Sequence, residues 1–301
     1  MKRLIILGIF VADLSFFGKI PKKGETVLGN EFIVGPGGKG SNQSVAAGKA
    51  GANVSFISKI GDDNYGEMAR KIYSETNVNT KYLFVSNEKN TGVAAILLDK
   101  ETGNNAISVV PGAAGALTID DIKKAEEEIK NSSFFLTQLE TPMEITIKAL
   151  KIANENKVTT ILNPAPAAPL DKEIFPLIDY FTPNETEAEF YTGIKIKNEE
   201  EAKEASTKLI NLGIKKAIIT LGEKGLFYSN GKENIYIKAL KLNNVVDTTG
   251  AGDAFNGALA FALANNKSIK ESLEIANHAA GLSTLKSGAG NAMPFFKDLK
   301  K

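Results

Sequence analysis

Val246-Asp247-Thr248-Thr249-Gly250-Ala251-Gly252-Asp253-Ala254-Phe255-Asn256-Gly257 runs straight into a helical, apolar stretch over residues 258–264. Two glycines at a helix entrance leave several main-chain amides free and sterically open, with the positive end of the helix dipole aimed at whatever sits there. Such a mouth suits a phosphate. Asp253 in the first turn adds a carboxylate that can take a proton from an attacking hydroxyl, while the amides of Gly250, Ala251 and Gly252 hold charge developing on phosphoryl oxygens. A plainer reading also fits the segment: Asp253 caps the helix and the glycines only make a turn.

Far upstream, Gly35-Pro36-Gly37-Gly38-Lys39-Gly40-Ser41-Asn42-Gln43 opens a second helical pattern over residues 44–50. Gly35, Gly37 and Gly40 satisfy G-x-G-x-x-G, and Asp62 lies further on after a strand, so a dinucleotide fold and a dehydrogenase compete here. Against them, the motif does not follow the first strand and carries Pro36 and Lys39 inside the turn. It is not a phosphate loop of the Walker type either, because Gly40 stands where Ser or Thr would supply a magnesium ligand. What remains is a flexible turn with Asn42 at a helix start, able to approach a polyhydroxyl ligand closely, or simply a capped glycine turn.

Two further clusters carry polar groups at strand-to-helix turns. Thr182-Pro183-Asn184-Glu185-Thr186-Glu187 sets an amide and two carboxylates where Mg²⁺ or its water shell would be held near a nucleotide, although Asn and Glu at helix starts also serve as caps. Thr220-Leu221-Gly222-Glu223-Lys224-Gly225 follows an apolar strand with a glycine-flanked loop that either passes close to a phosphate or ribose or is an ordinary turn. His278, the only histidine, lies on a helical stretch and reads as a helix residue, not a catalyst.

Around these motifs, 301 residues with 43% hydrophobic content are enough for one large domain that buries roughly three-quarters of its unfolded surface. With 36 Lys+Arg against 35 Asp+Glu, no overall positive field collects nucleic-acid phosphates. The absence of Cys and the single His exclude thiol nucleophiles, Fe–S clusters, Cys/His zinc sites and redox disulfides. Any metal must be a hard cation on oxygen ligands. Met1-Lys2-Arg3 and the apolar residues from Leu4 to Ala12 begin like a secretory signal, but Asp13 interrupts them, and the run reads as a buried first strand. No stretch reaches the length of a membrane span. The expectation is a cytoplasmic protein.

From Val54 onward, short β-rich runs alternate with amphipathic segments: 54–57 then 65–74, 134–136 then 142–155, 158–162, and 217–220. That alternation predicts βαβ units around a mostly parallel sheet. Pro142 and Pro183 suit first helical turns, and the acidic runs 126–128 and 199–201 suit solvated helix faces. Two stretches, about 9–34 and 92–110, break the alternation with hairpin chemistry and predict a small separate sheet over the ligand-binding edge of the core.

In order along the chain, Gly37-Gly38-Lys39-Gly40 with Asn42, Gln138-Leu139-Glu140, Asn163-Pro164-Ala165-Pro166-Ala167, Thr182 to Glu187, and Asp247 to Asp253 resemble the ribokinase-like, PfkB-type carbohydrate kinases, over nearly the whole chain. The resemblance implies a single domain over 1–301, with a Rossmann-like three-layer α/β core and a small β lid that also mediates homodimerisation. It implies ATP as phosphoryl donor, Mg²⁺, and activation by a monovalent cation such as K⁺. Asp253 would then be the base that activates a sugar's primary hydroxyl, with Gly250, Ala251 and Gly252 as the anion hole. Sugar contacts would come from Asp13, Gly38, Lys39, Gly40, Ser41, Asn42 and Glu140, and the ATP site from Asn184, Thr220, Leu221, Gly222, Glu223, Lys224, Gly225, Gly252 and Asn277. A K⁺ shell would take oxygens from Asp247, Thr249, Ser283, Lys286, Gly288 and Ala292, and Glu187 would hold Mg²⁺ through water. Val11 stands where such kinases usually place a sugar-binding Asn, so a polar contact is lost and 2-deoxyribose is expected to be used well beside ribose. A sugar-binding protein that keeps this fold without turnover is the alternative from outside the enzyme class.

Overall fold

The residues Leu4, Ile5, Ile6 and Leu7 are each 0% exposed, because they form the central strand of a sheet that is covered on both faces. In the computed structural model, which describes residues 2–99, 101–102 and 104–299, this strand is β1 (Arg3–Leu7). Chain order then gives β2 (Val11–Phe17), β3 (Glu31–Gly37), α1 (Lys39–Lys49), β4 (Asn53–Gly61), α2 (Asn64–Glu75), β5 (Val78–Ser86), β6 (Thr91–Leu98) and β7 (Asn105–Gly112). The second half contributes α3 (Ile119–Lys130), β8 (Phe134–Thr137), α4 (Met143–Glu155), β9 (Thr159–Leu162), β10 (Tyr180–Phe181), α5 (Glu185–Thr192) and α6 (Glu199–Asn211). After them come β11 (Ala217–Thr220), β12 (Leu226–Ser229), β13 (Asn234–Ile237), α7 (Ala251–Ala264) and α8 (Ile269–Ser283).

The large sheet has the order β13-β12-β11-β10-β9-β8-β1-β4-β5, parallel except at the β11–β12 and β12–β13 pairings, which are antiparallel. Side chains alternate across it. Leu4 and Ile6 pack with α1, α2, α7 and α8, whereas Ile5 and Leu7 pack with α3, α4, α5 and α6, which makes three layers. From β1 the chain first builds outward through β4 and β5, then returns to β8 on the other side. The β1–β8 boundary is therefore a topological switch point, where a crevice opens beyond the carboxyl ends of the strands.

The expected first strand over Leu4 to Ala12 is not one strand. It ends at Leu7, and the chain resumes at Val11 in the second sheet. Tertiary contact is the reason: a Cβ on Gly8 would overlap the side chain of Gln138 and lie 2.6 Å from Gly40 Cα, so only glycine passes beneath the start of α1. Pro142 caps α4 from outside, and Pro183 precedes the cap of α5, so neither occupies a first helical turn.

The second sheet has the order β3-β2-β6-β7, with β2 parallel to β6 and both outer pairs antiparallel. Lys100 and Gly103, inside the stretch 92–110, lie outside the described residues. The sheet leaves apolar side chains in solvent, including Phe32 (54%), Ile107 (57%) and Val110 (57%). Among the described residues, no helix is long and apolar enough to cross a membrane.

Candidate functional site

At the mouth of α7, Gly250 adopts the left-handed conformation (φ 76°, ψ 3°) and caps the helix without a side chain, a conformation that costs glycine little. The Ala251 amide donates to the Thr248 carbonyl (3.2 Å) and the Ala254 amide to the Gly250 carbonyl (2.8 Å). Of the three amides expected to form the anion hole, that of Ala251 is thus engaged within the turn. Those of Gly250, Gly252 and Asp253 have no acceptor among the described residues.

Asp253 does not cap the helix. Its side chain, 7% exposed, turns toward the first turn of α1, where Asn42 Nδ2 donates to Oδ2 (2.9 Å) and Gln43 Nε2 donates to Oδ1 (3.0 Å). Asn42 Oδ1 is buried without a partner among the described residues, an acceptor left for a ligand. The Lys39 amide, one turn earlier, donates to Glu140 Oε2 (2.9 Å), which ties α1 to the segment beyond β8. The glycine-rich stretch of Gly35 to Gly40 leads from β3 of the small sheet into α1, so it ends no strand of the parallel sheet and lacks the strand context of a dinucleotide fingerprint.

Two cavities meet this arrangement. The smaller, about 180 Å³, is lined by Asp253, Gly250 and Gly252 together with Lys39, Asn184, Glu187 and Thr220. Asn163, Ala165, Thr182 and Asn256 complete it. The sequence gives none of these four a role of its own, although all lie inside the motifs quoted above: Asn163 and Thr182 directly follow β9 and β10, Ala165 lies two residues beyond Asn163, and Asn256 belongs to α7. The larger, about 610 Å³, lies under the small sheet, lined by Asp13, Ser15, Ile96 and Leu98 on one side and by Asp247, Thr249 and Gly288 on the other.

Burial makes charge expensive here. It pushes Asp13 up to about 6, an effect strengthened by Asp253 and opposed by Lys39. It pushes Glu140 up to about 7 and Glu187 above the usual carboxylate range. Asp253 is also raised by burial, with Lys39, Asn42 and Gln43 pulling the other way. Burial works to discharge Lys39, but Asp253, Glu140, Glu187 and Asp13 outweigh it and hold its pKa above the ordinary lysine value. The result is one ammonium among four carboxylates, next to open amides.

The remaining expected residues are spread more widely. Asn184 caps α5, accepting from the Glu187 amide (2.8 Å), while Glu187 accepts from the Asn184 amide (2.9 Å), so both are caps and cavity walls at once. Leu221, Gly222, Glu223, Lys224 and Gly225 form a turn closed by the Leu221 amide on the Gly225 carbonyl (2.8 Å); they do not line the small cavity, and Lys224 Nζ reaches the Lys197 carbonyl (2.9 Å). Asn277 donates to the Lys238 carbonyl (2.8 Å), next to half-buried His278 on α8. Asp247 accepts from the Thr249 amide through Oδ1 and from the Gly288 amide through Oδ2, both at 2.9 Å, which draws the two segments together. Ser283 and Lys286 follow at the end of α8, and Ala292 lies buried in a short 3₁₀ turn. Val11 packs with Ile9, Ala94, Ile96 and Ala114 and lines neither cavity.

The family model of the pfkB family carbohydrate kinases matches residues 1–295. A ribokinase of Haemophilus influenzae is 38% identical over 297 residues, covering 97% of this chain and 95% of that protein. A deoxyribokinase of Salmonella typhi is 31% identical over 293 residues, covering 97% and 95%. The solved structure of Arabidopsis thaliana ribokinase complexed with ribose and ATP superposes with a TM-score of 0.89 at 31% identity, covering 99% of this chain and 97% of that one.

Proposed function

This chain belongs to the pfkB family of carbohydrate kinases, and from that premise we propose that it transfers the terminal phosphoryl group of ATP to the primary hydroxyl of D-ribose or a closely related pentose. The observation that carries this is the meeting of a buried, doubly hydrogen-bonded Asp253 with open amides at one helix mouth. As the sugar oxygen bonds to phosphorus, Asp253 takes its proton and ADP leaves with the electrons of the broken P–O bond. The Gly250, Gly252 and Asp253 amides stabilise the charge spread over the phosphoryl oxygens. Asp13, Asn42, Glu140 and the segment from Gly38 to Ser41 hold the sugar. Asn184, Thr220 to Gly225, Gly252 and Asn277 hold ATP, and the small sheet, about 9–34 and 92–110, acts as a lid that excludes water.

The residues present fit the two expected cations. Glu187, on the wall of the small cavity, is placed to hold Mg²⁺ through water, which would neutralise phosphate charge. Asp247 with the main chain around Thr249, Ser283, Lys286, Gly288 and Ala292 offers one carboxylate and neutral carbonyls, a low-charge set suited to K⁺. The apolar residues exposed on the small sheet fit a homodimer joined through the lid, in the cytoplasm. Sedimentation should show a dimer at micromolar concentration, and a monomer there removes that part.

Val11 supplies no hydrogen bond to a sugar hydroxyl, so the site has one means fewer of rejecting a sugar that lacks one. With purified protein, ATP and a panel of pentoses, hexoses and nucleosides, kcat/KM for 2-deoxyribose is expected within about tenfold of that for ribose. Omitting K⁺ should lower both. Sugar-independent ADP release alone overturns the kinase reading, and a ribose preference of several hundredfold overturns the role of Val11.

A further inference from the structure

Behind Asp253, a chain of neutral side-chain amides runs in one direction only. Asn163 donates through Nδ2 to the main-chain carbonyl of Thr182 (3.0 Å). A carbonyl only accepts, so Asn163 must turn Oδ1 toward Gln43, whose Nε2 donates to it (3.1 Å). Gln43 Oε1 then faces Gln138, whose Nε2 donates to it (2.5 Å). The Gln43 nitrogen, pinned from both sides, is the one that reaches Asp253 Oδ1 (3.0 Å).

Both glutamines are buried, Gln43 at 0% and Gln138 at 1% exposure. Gln138 keeps its place at a cost, since its Oε1 is buried with no partner among the described residues and lies against Gly8 and Gly40. An apolar side chain of the same length would remove that orphaned acceptor without opening a cavity, and would leave Gln43 Oε1 unpaired in its place. Packing alone therefore gives no reason for an amide there; pairing the Gln43 oxygen does.

We infer that Gln43 and Gln138 are positioning residues for phosphoryl transfer: Gln43 holds the Asp253 carboxylate in the orientation that accepts the sugar's proton, and Gln138, by donating to Gln43 Oε1, holds the Gln43 amide in place. The inference rests on Asp253 as the base. Without the Gln138 donor, Gln43 Oε1 is buried with no partner and the amide is held only through its nitrogen, by Asn163 Oδ1 and Asp253 Oδ1, so its bond to the carboxylate weakens and the charged form is less favoured. The groups facing Asp253 are Lys39, Asn42 and Gln43 from α1, Asp13 from β2, Glu140 beyond β8 and Glu187 from α5. Of these, Gln43 alone donates to Oδ1.

The test compares Gln43→Met, Gln138→Met and Asp253→Asn by kcat, KM for ribose, thermal midpoint and the pH dependence of kcat. Gln43→Met is expected to lower kcat about 10- to 100-fold with KM changed less than about threefold, and to move the acidic limb of kcat to higher pH. Gln138→Met, which touches no substrate, should lower kcat about 3- to 10-fold and move the limb the same way while its thermal midpoint stays about level, because one orphaned buried acceptor is exchanged for another. Unmoved acidic limbs in both glutamine variants overturn the inference, whether kcat is kept or falls together with the thermal midpoint. If that happens while Asp253→Asn is inactive, only the positioning role falls; if Asp253→Asn keeps wild-type turnover, the base assignment falls first.

Discussion

Replacing Asp253 with Asn lowers turnover by about two to four orders of magnitude while pentose binding persists. The substitution keeps size and position and removes only the capacity to take a proton. Both Asp253 oxygens accept from amide nitrogens, so the Asn NH₂ group must face one of those donors, and one hydrogen bond of about 1 kcal/mol is lost. Against that loss, the variant no longer holds a carboxylate at 7% exposure, so its thermal midpoint should be level with or above that of the parent. In the parent, burial raises the Asp253 pKa, so kcat should fall with decreasing pH at values above the ordinary carboxylate range, because the base must be ionised to work. The variant should show no such limb. Turnover and calorimetric sugar titration at several pH values check this; wild-type turnover in the variant takes Asp253 out of the mechanism.

What makes Asp253 special was only half visible along the chain. The helix mouth was legible because it is local: glycines, carboxylate and helix lie within a dozen consecutive residues, and their chemistry follows from backbone geometry. The partners of the carboxylate are not local. Asn42 and Gln43 stand 211 and 210 residues away, and no periodicity announces that two helices will meet at their first turns. The same limit explains the first strand. Leu4 to Ala12 is apolar with one glycine inside it, and a lone glycine marks a bulge or a close approach as readily as an end; the break at Gly8 comes from Gly40 and Gln138 pressing on it. Capping and site residues were indistinguishable at Asn184 and Glu187 for a physical reason, since helix starts satisfy caps and ligands with the same groups, and here one pair does both.

Lys39→Met should cost turnover about two to three orders of magnitude and make stability depend more steeply on pH. Among the described residues Lys39 is the one basic side chain lining the small cavity, and it faces Asp253, Glu140, Glu187 and Asp13 together. With the ammonium gone, the open amides hold phosphoryl charge without a neighbouring cation, and each carboxylate loses the charge that holds its pKa down. Burial already raises Glu140 from 4.5 to about 7 and Asp13 from 3.8 to about 6 with Lys39 in place, so both should climb further, and Asp253 with them. A carboxylate whose folded pKa lies above its unfolded value binds more protons when folded, so stability falls as pH rises through the interval between the two. For the parent that interval spans roughly pH 4 to 7; in the variant it extends upward and the loss across it grows. At pH 5 Glu140 and Asp13 are largely protonated in the folded state, and the two proteins should melt close together. At pH 8 the variant carries ionised carboxylates with no cation among them and should melt at a lower temperature than the parent. Its activity optimum moves to higher pH for the same reason, because the base ionises later. Thermal midpoints at pH 5 and pH 8 beside kcat–pH profiles decide it: equal midpoints at both pH values with unchanged turnover would mean that the four carboxylates do not depend on Lys39, and the hub would have to be sought elsewhere.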